Sequence, residues 1–280
     1  MEEKIMGVDI GGTNIRAGIV ENGKITKIES EPVNARGTVE EVLEQLSGLI
    51  ERTGIENISG IGIGIPGPVD DVNGIVYELI NIPAWKKVEL KNILEKKYSI
   101  PVHVQNDANC YALAEYHFGK GKGCNRSFIG LIMGTGIAGG VIINGKLYSG
   151  PNGMAGEFGM MPYLDHYYEY YCCGQYFTNV HGISGKEAAE KAEAADKDAL
   201  AMWQEFGKHV GQALQAIMYA YDPQKIVLGG SVGQALPLFE KSTWNELENF
   251  VFKNSLRNFK LEASELDNPG LLGAAALNII

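Results

Sequence analysis

The stretch "GVDIGGTNIRAGIV" (residues 7–20) sets one carboxylate, Asp9, in an apolar strand pattern and follows it with Gly11, Gly12 and Thr13. A carboxylate at a strand end, beside glycines whose N–H groups can surround an anion, suits a hydrated divalent metal held next to phosphate. Lacking a Cβ, glycine lets the backbone approach a bulky anion closely, and the Thr13 hydroxyl can donate to a phosphate oxygen. Asp9 equally fits a turn former whose side chain bonds nearby backbone N–H groups. A second copy favours the phosphate reading. "GTNIRAGIVENGKI" (12–25) and "GTGIAGGVIINGKL" (134–147) share Gly-Thr, one Ile, one Gly and the whole Asn-Gly-Lys turn without a gap. Gly134, Thr135 and Gly136 thus form a matching turn, and Thr13 and Thr135 become paired phosphate donors.

These turns need strands to hold them. Residues 15–29 read as two strands joined by Asn22-Gly23, a pair that tolerates positive φ at both centres of a hairpin turn. From Thr38, apolar residues recur at Val39, Val42, Leu43, Leu46 and Ile50 behind a Thr38/Glu41 capping box, and Gly54 closes the helix. "SGIGIGIPGPV" reads as a buried strand running into a glycine-proline turn, and "VELKNILEKKY" as a helix leading to the strand "PVHVQ". The pattern is α/β. With the repeat, it predicts two similar lobes, each with its own strand, glycine turn and hairpin, and a ligand in the cleft between them.

Composition narrows the function. The 280 residues, 45% hydrophobic and 21% charged, are enough for one large or two modest domains. A net charge of -10 argues against duplex nucleic acid and anionic membrane as partners, because phosphate backbones select basic surfaces. No apolar run reaches membrane-spanning length, and "MEEKIMGVDIGG" enters a strand without a basic segment or cleavage site, so a cytoplasmic location is expected. Four cysteines, Cys110, Cys124, Cys172 and Cys173, are too few and too irregular for a disulfide framework. Gly62, Gly64 and Gly67 spell a dinucleotide fingerprint, but "PVDDVNG" follows where a helix must open, which argues against hydride transfer. The lack of "GxxxxGK[ST]" removes the P-loop kinases.

Taken in order, "DIGGTNIRAG", "GIGIPGPV", "QNDANCYALAE", "GTGIAGGVIINGKL" and "GMAGEFG" cover most of the chain and resemble the ROK family, whose kinases include bacterial glucokinases and N-acetylmannosamine kinases. The resemblance implies a duplicated actin-like ATPase (ribonuclease H-like) fold and transfer of the γ-phosphoryl of ATP, with Mg2+, to a sugar hydroxyl. Asp107 matches the family's catalytic carboxylate, a base that orients the hydroxyl and accepts its proton late in the reaction. It lies where "PVHVQ" meets the helix "ANCYALAEYHF"; the helix dipole there favours the ionised form, and either Asn or Asp at that spot is also an ordinary helix cap. Gly67, Asn81, Asn106 and Glu157 match sugar-gripping positions. Asp9, Gly11, Gly12, Thr13, Gly134, Thr135 and Gly136 match the nucleotide side, with Asp9 reaching magnesium indirectly. Gly229, Gly230 and Ser231 resemble the adenosine-side turn, and "NPGLLGAAALN" the closing small-residue helix.

One region departs from the family pattern. ROK kinases usually hold a structural zinc with a His after "GE" and three Cys of a "CxCGxxGC" run. Here Met160 stands at the His position, Tyr171 and Thr178 at two Cys positions, and Val180 at a sugar-contacting Glu; Cys173 and Gly174 survive. Four compatible ligands are needed, and Cys172, Cys173, His166 and His181 form only an improvised set. The expectation is therefore no zinc, with Tyr167, Tyr168, Tyr170, Tyr171, Tyr176 and Phe177 packing in its place. His181, one residue from the lost Glu, is the candidate substitute at the sugar.

The sequence thus predicts an ATP-dependent kinase acting on the primary hydroxyl of a hexose or N-acetylhexosamine, glucose first. Residues 1–118 form the sugar-side lobe with Asp107, residues 119–269 the nucleotide-side lobe, and a helix at about 270–280 packs back on the first. A hinge is expected near "FGKGKGC" (118–124), and a homodimer follows from the family. The alternative is a noncatalytic sugar- or nucleotide-binding relative; a DNA-binding regulator of this family would need a helix-turn-helix before the first strand.

Overall fold

The computed structural model describes residues 4–279. The chain divides into two compact units: Met1–Lys122 with Lys146–Ala155 and Leu266–Ile280, and Gly123–Gly145 with Gly156–Glu265.

In the first unit the strand Lys4–Ile10 pairs antiparallel with Asn14–Glu21, which pairs antiparallel with Lys24–Pro32. Asn22 and Gly23 both take positive φ in the connecting turn, so the short hairpin keeps the strand twist. Ile58–Ile65 and Val102–Asn106 extend the sheet in parallel on the other side. Parallel neighbours need crossover connections. The helix Val39–Thr53 provides the first, with Thr38 accepting from the Glu41 N–H and Glu41 accepting from the Thr38 N–H in a reciprocal cap. The glycine fingerprint lies within the strand Ile58–Ile65 and the turn after it, which leads to a short strand, Val69–Asp70, and not to a helix.

The second unit repeats this order. Ile137–Ile143 pairs antiparallel with Ser127–Met133, then Lys225–Gly229 and Lys260–Ala263 follow in parallel. Even the glycine pairs recur: Gly7 faces Gly18 in one sheet and Gly130 faces Gly140 in the other.

The two cores differ in kind. The first is aliphatic, built on Ile, Leu and Val from the sheet and the helices Val39–Thr53 and Leu90–Tyr98, with Trp85 its largest fully buried side chain. The second is aromatic. Tyr176, Phe177, Trp203, Phe206 and Phe239 interlock around the 25-residue helix Lys197–Tyr221, with Trp203 stacked on Phe239 and Phe206 edge-on to it. Within the first unit the small-residue helix Pro269–Ala276 packs on the central strand and on the helix Asp107–His117. No helix among the described residues is long and apolar enough to cross a membrane.

Candidate functional site

Register decides what Asp9 does in this fold. It sits directly across from Arg16, and the guanidinium donates to its Oδ2 while also reaching Asn268 Oδ1 at 3.3 Å. The carboxylate therefore enters the turn as half of an ion pair, its side chain 14% exposed. The turn is closed by Gly11 N donating to Asn14 O (2.9 Å) and tied to the strand edge by Val33 N donating to Thr13 O (2.9 Å). Asn81 is brought against this turn: a Cβ on Gly12 would fall 2.9 Å from its Nδ2.

Asp107 begins its helix, and the cap is Asn106. Asn106 Oδ1 accepts from Ala108 N at 2.9 Å and Asn109 N at 3.4 Å, and its Nδ2 donates to Gly67 O at 3.3 Å. Two expected sugar-side residues are thereby joined, and the capping role falls to Asn106 while Asp107 occupies the first helical position. Behind them lies Gln105, which sequence reasoning missed. Only 3% exposed, it accepts from Asn106 N (2.8 Å) and Asn109 Nδ2 (3.1 Å) and donates to Asp71 Oδ2 and Ser149 Oγ (both 3.0 Å). Its signal was an amide closing an otherwise apolar-patterned strand. Cys110 lies beneath: burial first, then the charges of Asp107 and Asp9, push its thiol well above the ordinary range. Both carboxylates therefore act on one point of the first unit.

The second unit holds a cavity of about 530 Å3 lined by Gly134, Thr135, Gly174, Gln175, Thr178, Ser184, Lys186, Trp203 and Ser231, among others. Two sequence-distant turns, the second glycine-threonine turn and the Gly229–Ser231 turn, meet in it. Gly230 makes that meeting possible. Its φ is +77°, and a Cβ there would fall 2.4 Å from Met133 O, so only glycine lets the strand Lys225–Gly229 turn into the short helix Gly230–Gln234 at this spot. Gln175, Ser184 and Lys186 were not singled out from the sequence, and Thr178 was named only as standing at a lost Cys position; polar residues on short helices give no periodic signal.

Glu157 also belongs to this unit, on a loop that folds back on the sheet. Gly156 has φ +99° and a Cβ on it would overlap Gly139 O at 1.6 Å, which pins the loop and fixes where Glu157 emerges. Burial, and then the charge of Glu169, raise the Glu157 carboxyl above its ordinary value. His181 is engaged by Tyr176, its Nε2 3.1 Å from that hydroxyl. The other improvised zinc ligands have different surroundings. His166 stacks on Tyr170 at 4.0 Å, Cys172 is fully buried, and Cys173 Sγ donates to Thr135 O. Tyr163 and Tyr168 stack at 4.5 Å, and Tyr163 Oη lies 3.0 Å from His209 Nδ1. Among the described residues, no three or more His, Cys, Asp or Glu side chains group as metal ligands.

Comparison with known proteins covers nearly the whole chain. Residues 5–279 match the model of the ROK family. A glucokinase of Thermotoga maritima is 27% identical, with 98% of this chain and 96% of that protein aligned. An N-acetyl-D-glucosamine kinase of Vibrio cholerae is 31% identical over 98% of this chain and 99% of its own. Among solved structures, a ROK family glucokinase from Streptomyces griseus in complex with glucose and AMPPNP superposes with a TM-score of 0.80 at 28% identity, covering 98% of both chains.

Proposed function

The chain belongs to the ROK family and has its duplicated, actin-like ATPase α/β fold, and from that premise we propose that it is an ATP-dependent kinase for the primary hydroxyl of a hexose or N-acetylhexosamine, glucose being the leading substrate. The observation that carries this reading is the cavity lined by Gly134 and Thr135 of one turn and by Ser231 of the other. Backbone amides on a glycine turn are preorganised donors for a phosphate, and a partly apolar floor with Trp203 suits a nucleoside.

In this reading the second unit binds ATP through Gly134, Thr135, Gly136, Gly229, Gly230 and Ser231, and the first unit supplies Gly11, Gly12, Thr13 and Asp9. The donor set fits magnesium. Asp9 is a mostly buried carboxylate at a strand end, paired with the more exposed Arg16, and would hold the ion through water; magnesium, when bound, neutralises phosphate charge. Gly67, Asn81, Asn106, Glu157 and His181 are assigned to the sugar. Asp107 holds the hydroxyl of the acceptor and takes its proton as the new bond forms; a loose transition state asks little more of a base than position and charge. The homodimer expected for the family is part of the same proposal.

The test is a coupled ADP-release assay over glucose, N-acetylglucosamine, N-acetylmannosamine, mannose, fructose and allose. Turnover on glucose or one of the hexosamines is expected. No ADP release with any of them overturns the assignment.

A further inference from the structure

Every carbonyl of the second glycine turn is already held. Gly134 O accepts from Gly174 N at 2.7 Å, and Gly136 O accepts from Gly134 N at 2.9 Å. Thr135 O accepts twice, from Cys173 Sγ and from Gln175 Nε2, each at 3.0 Å. Just beyond the turn, Ile137 N donates to Glu169 Oε2 at 3.1 Å. Four residues of one short segment, 169–175, thus grip three residues of the turn and its exit, 134, 135 and 137.

The geometry of the peptide bond converts this into a statement about donors. In a trans peptide the C=O and the following N–H point in opposite directions, and no peptide bond among the described residues is cis. With the Gly134 and Thr135 carbonyls drawn toward residues 173–175, the N–H groups of Thr135 and Gly136 face away from them. Two successive N–H groups on one side of a turn are the arrangement that receives an anion. Left to itself, a Gly-Thr-Gly turn has many conformations, and ordering it on binding would cost affinity.

We propose that the Glu169–Gln175 segment is a clamp that preshapes the phosphate-binding turn, with Cys173 and Gln175 as positioning residues that orient the Thr135–Gly136 peptide through the Thr135 carbonyl. The inference rests on the ATP-binding reading above. It assigns the segment a task done by its own hydrogen bonds: the position at which the family pattern places a zinc-ligating Cys here carries a thiol that grips the turn directly. Burial, chiefly, pushes that thiol up to about 11, so it retains the proton it donates.

The test compares wild type with Gln175→Met, Cys173→Ala, Cys173→Ser and the Cys173→Ala/Gln175→Met pair, reading the AMP-PNP dissociation constant by calorimetry and KM for ATP against KM for the sugar. Each donor-deleting single variant is expected to weaken nucleotide binding roughly 3–10-fold, with KM for the sugar unchanged, and Cys173→Ser is expected to restore binding because it returns a donor. Two donors share one acceptor, so the pair is expected to lose more than the product of the single losses. A pair that loses only that product means Gln175 and Cys173 act on the ligand separately and overturns the clamp, as does a parallel rise in KM for the sugar. Gln175 is exposed, so its variant remains informative even where Cys173→Ala lowers Tm. Wild type that binds AMP-PNP with variants unchanged sinks the clamp alone; wild type that does not bind AMP-PNP sinks the ATP reading itself.

Discussion

The two glycine turns share a frame and differ in what they do with it. Both close an antiparallel hairpin next to a parallel strand, and both hairpins pair glycine with glycine at the same depth. The first hairpin closes on Ile10 and Ile15, the second on Met133 and Ile137, so the second turn is one residue shorter. Sequence identity without a gap therefore ends at the turn itself. Followed back through the register, Asp9 opposite Arg16 corresponds to Ile132 opposite Ala138. One copy keeps an ion pair where the other keeps two apolar residues. Support differs as well: the first turn leans on its own sheet edge and on Asn81, whereas the second is held by a separate segment. The two copies share the hairpin frame, and they differ in turn length, in support and in charge.

The sharpest way to break this division is to remove the chemistry of the first unit and ask whether the second still binds. Asp107→Asn is expected to lower kcat by about 10²–10⁴-fold while AMP-PNP affinity, measured by calorimetry, stays at the wild-type value. A variant that turns over undiminished removes Asp107 from the base role. Next in size is the charge asymmetry between the turns. Asp9→Asn is expected to raise the Mg2+ concentration for half-maximal activity by about 10–100-fold, the usual range for a carboxylate that acts on a metal through an intermediary. If the magnesium titration is unmoved and only Tm falls, Asp9 is simply Arg16's partner and the first turn has no metal role.

The smallest effect concerns the second unit's own carboxylate. Glu157 has its pKa raised by burial and by Glu169, so the folded chain binds a proton there more tightly than the unfolded one. Stability from this group is fully present below its ordinary value of 4.5 and is lost as pH climbs through the folded value. Glu157→Gln carries no such loss. Its Tm relative to wild type is expected to rise as pH climbs above 4.5; a flat difference above that value would mean Glu157 is solvated in the folded chain.

Much of the fold was legible because its signals are local. The Thr38/Glu41 box and the Asn22-Gly23 turn are written within a few residues, and they form as written. The repeat announced two similar lobes, each with its own strand, glycine turn and hairpin. The site was legible only as a set of residue types. Gln105 gathers Asp71 and Ser149 from 34 and 44 positions away, and the grip on Thr135 comes from residues 38 and 40 positions on. No period of 2 or 3.6 encodes such pairs.

The sequence by itself determined the order of strands and helices, the duplicated turns and the carboxylates available for chemistry, because propensity, periodicity and turn chemistry act over a few bonds. Tertiary structure alone decided that Asp9 faces Arg16, that Asn106 rather than Asp107 caps the helix, and that a cysteine of the altered loop holds the second turn. Those outcomes depend on strand register and on contacts between distant segments, which are fixed only when the chain closes on itself and each buried polar group must find a partner.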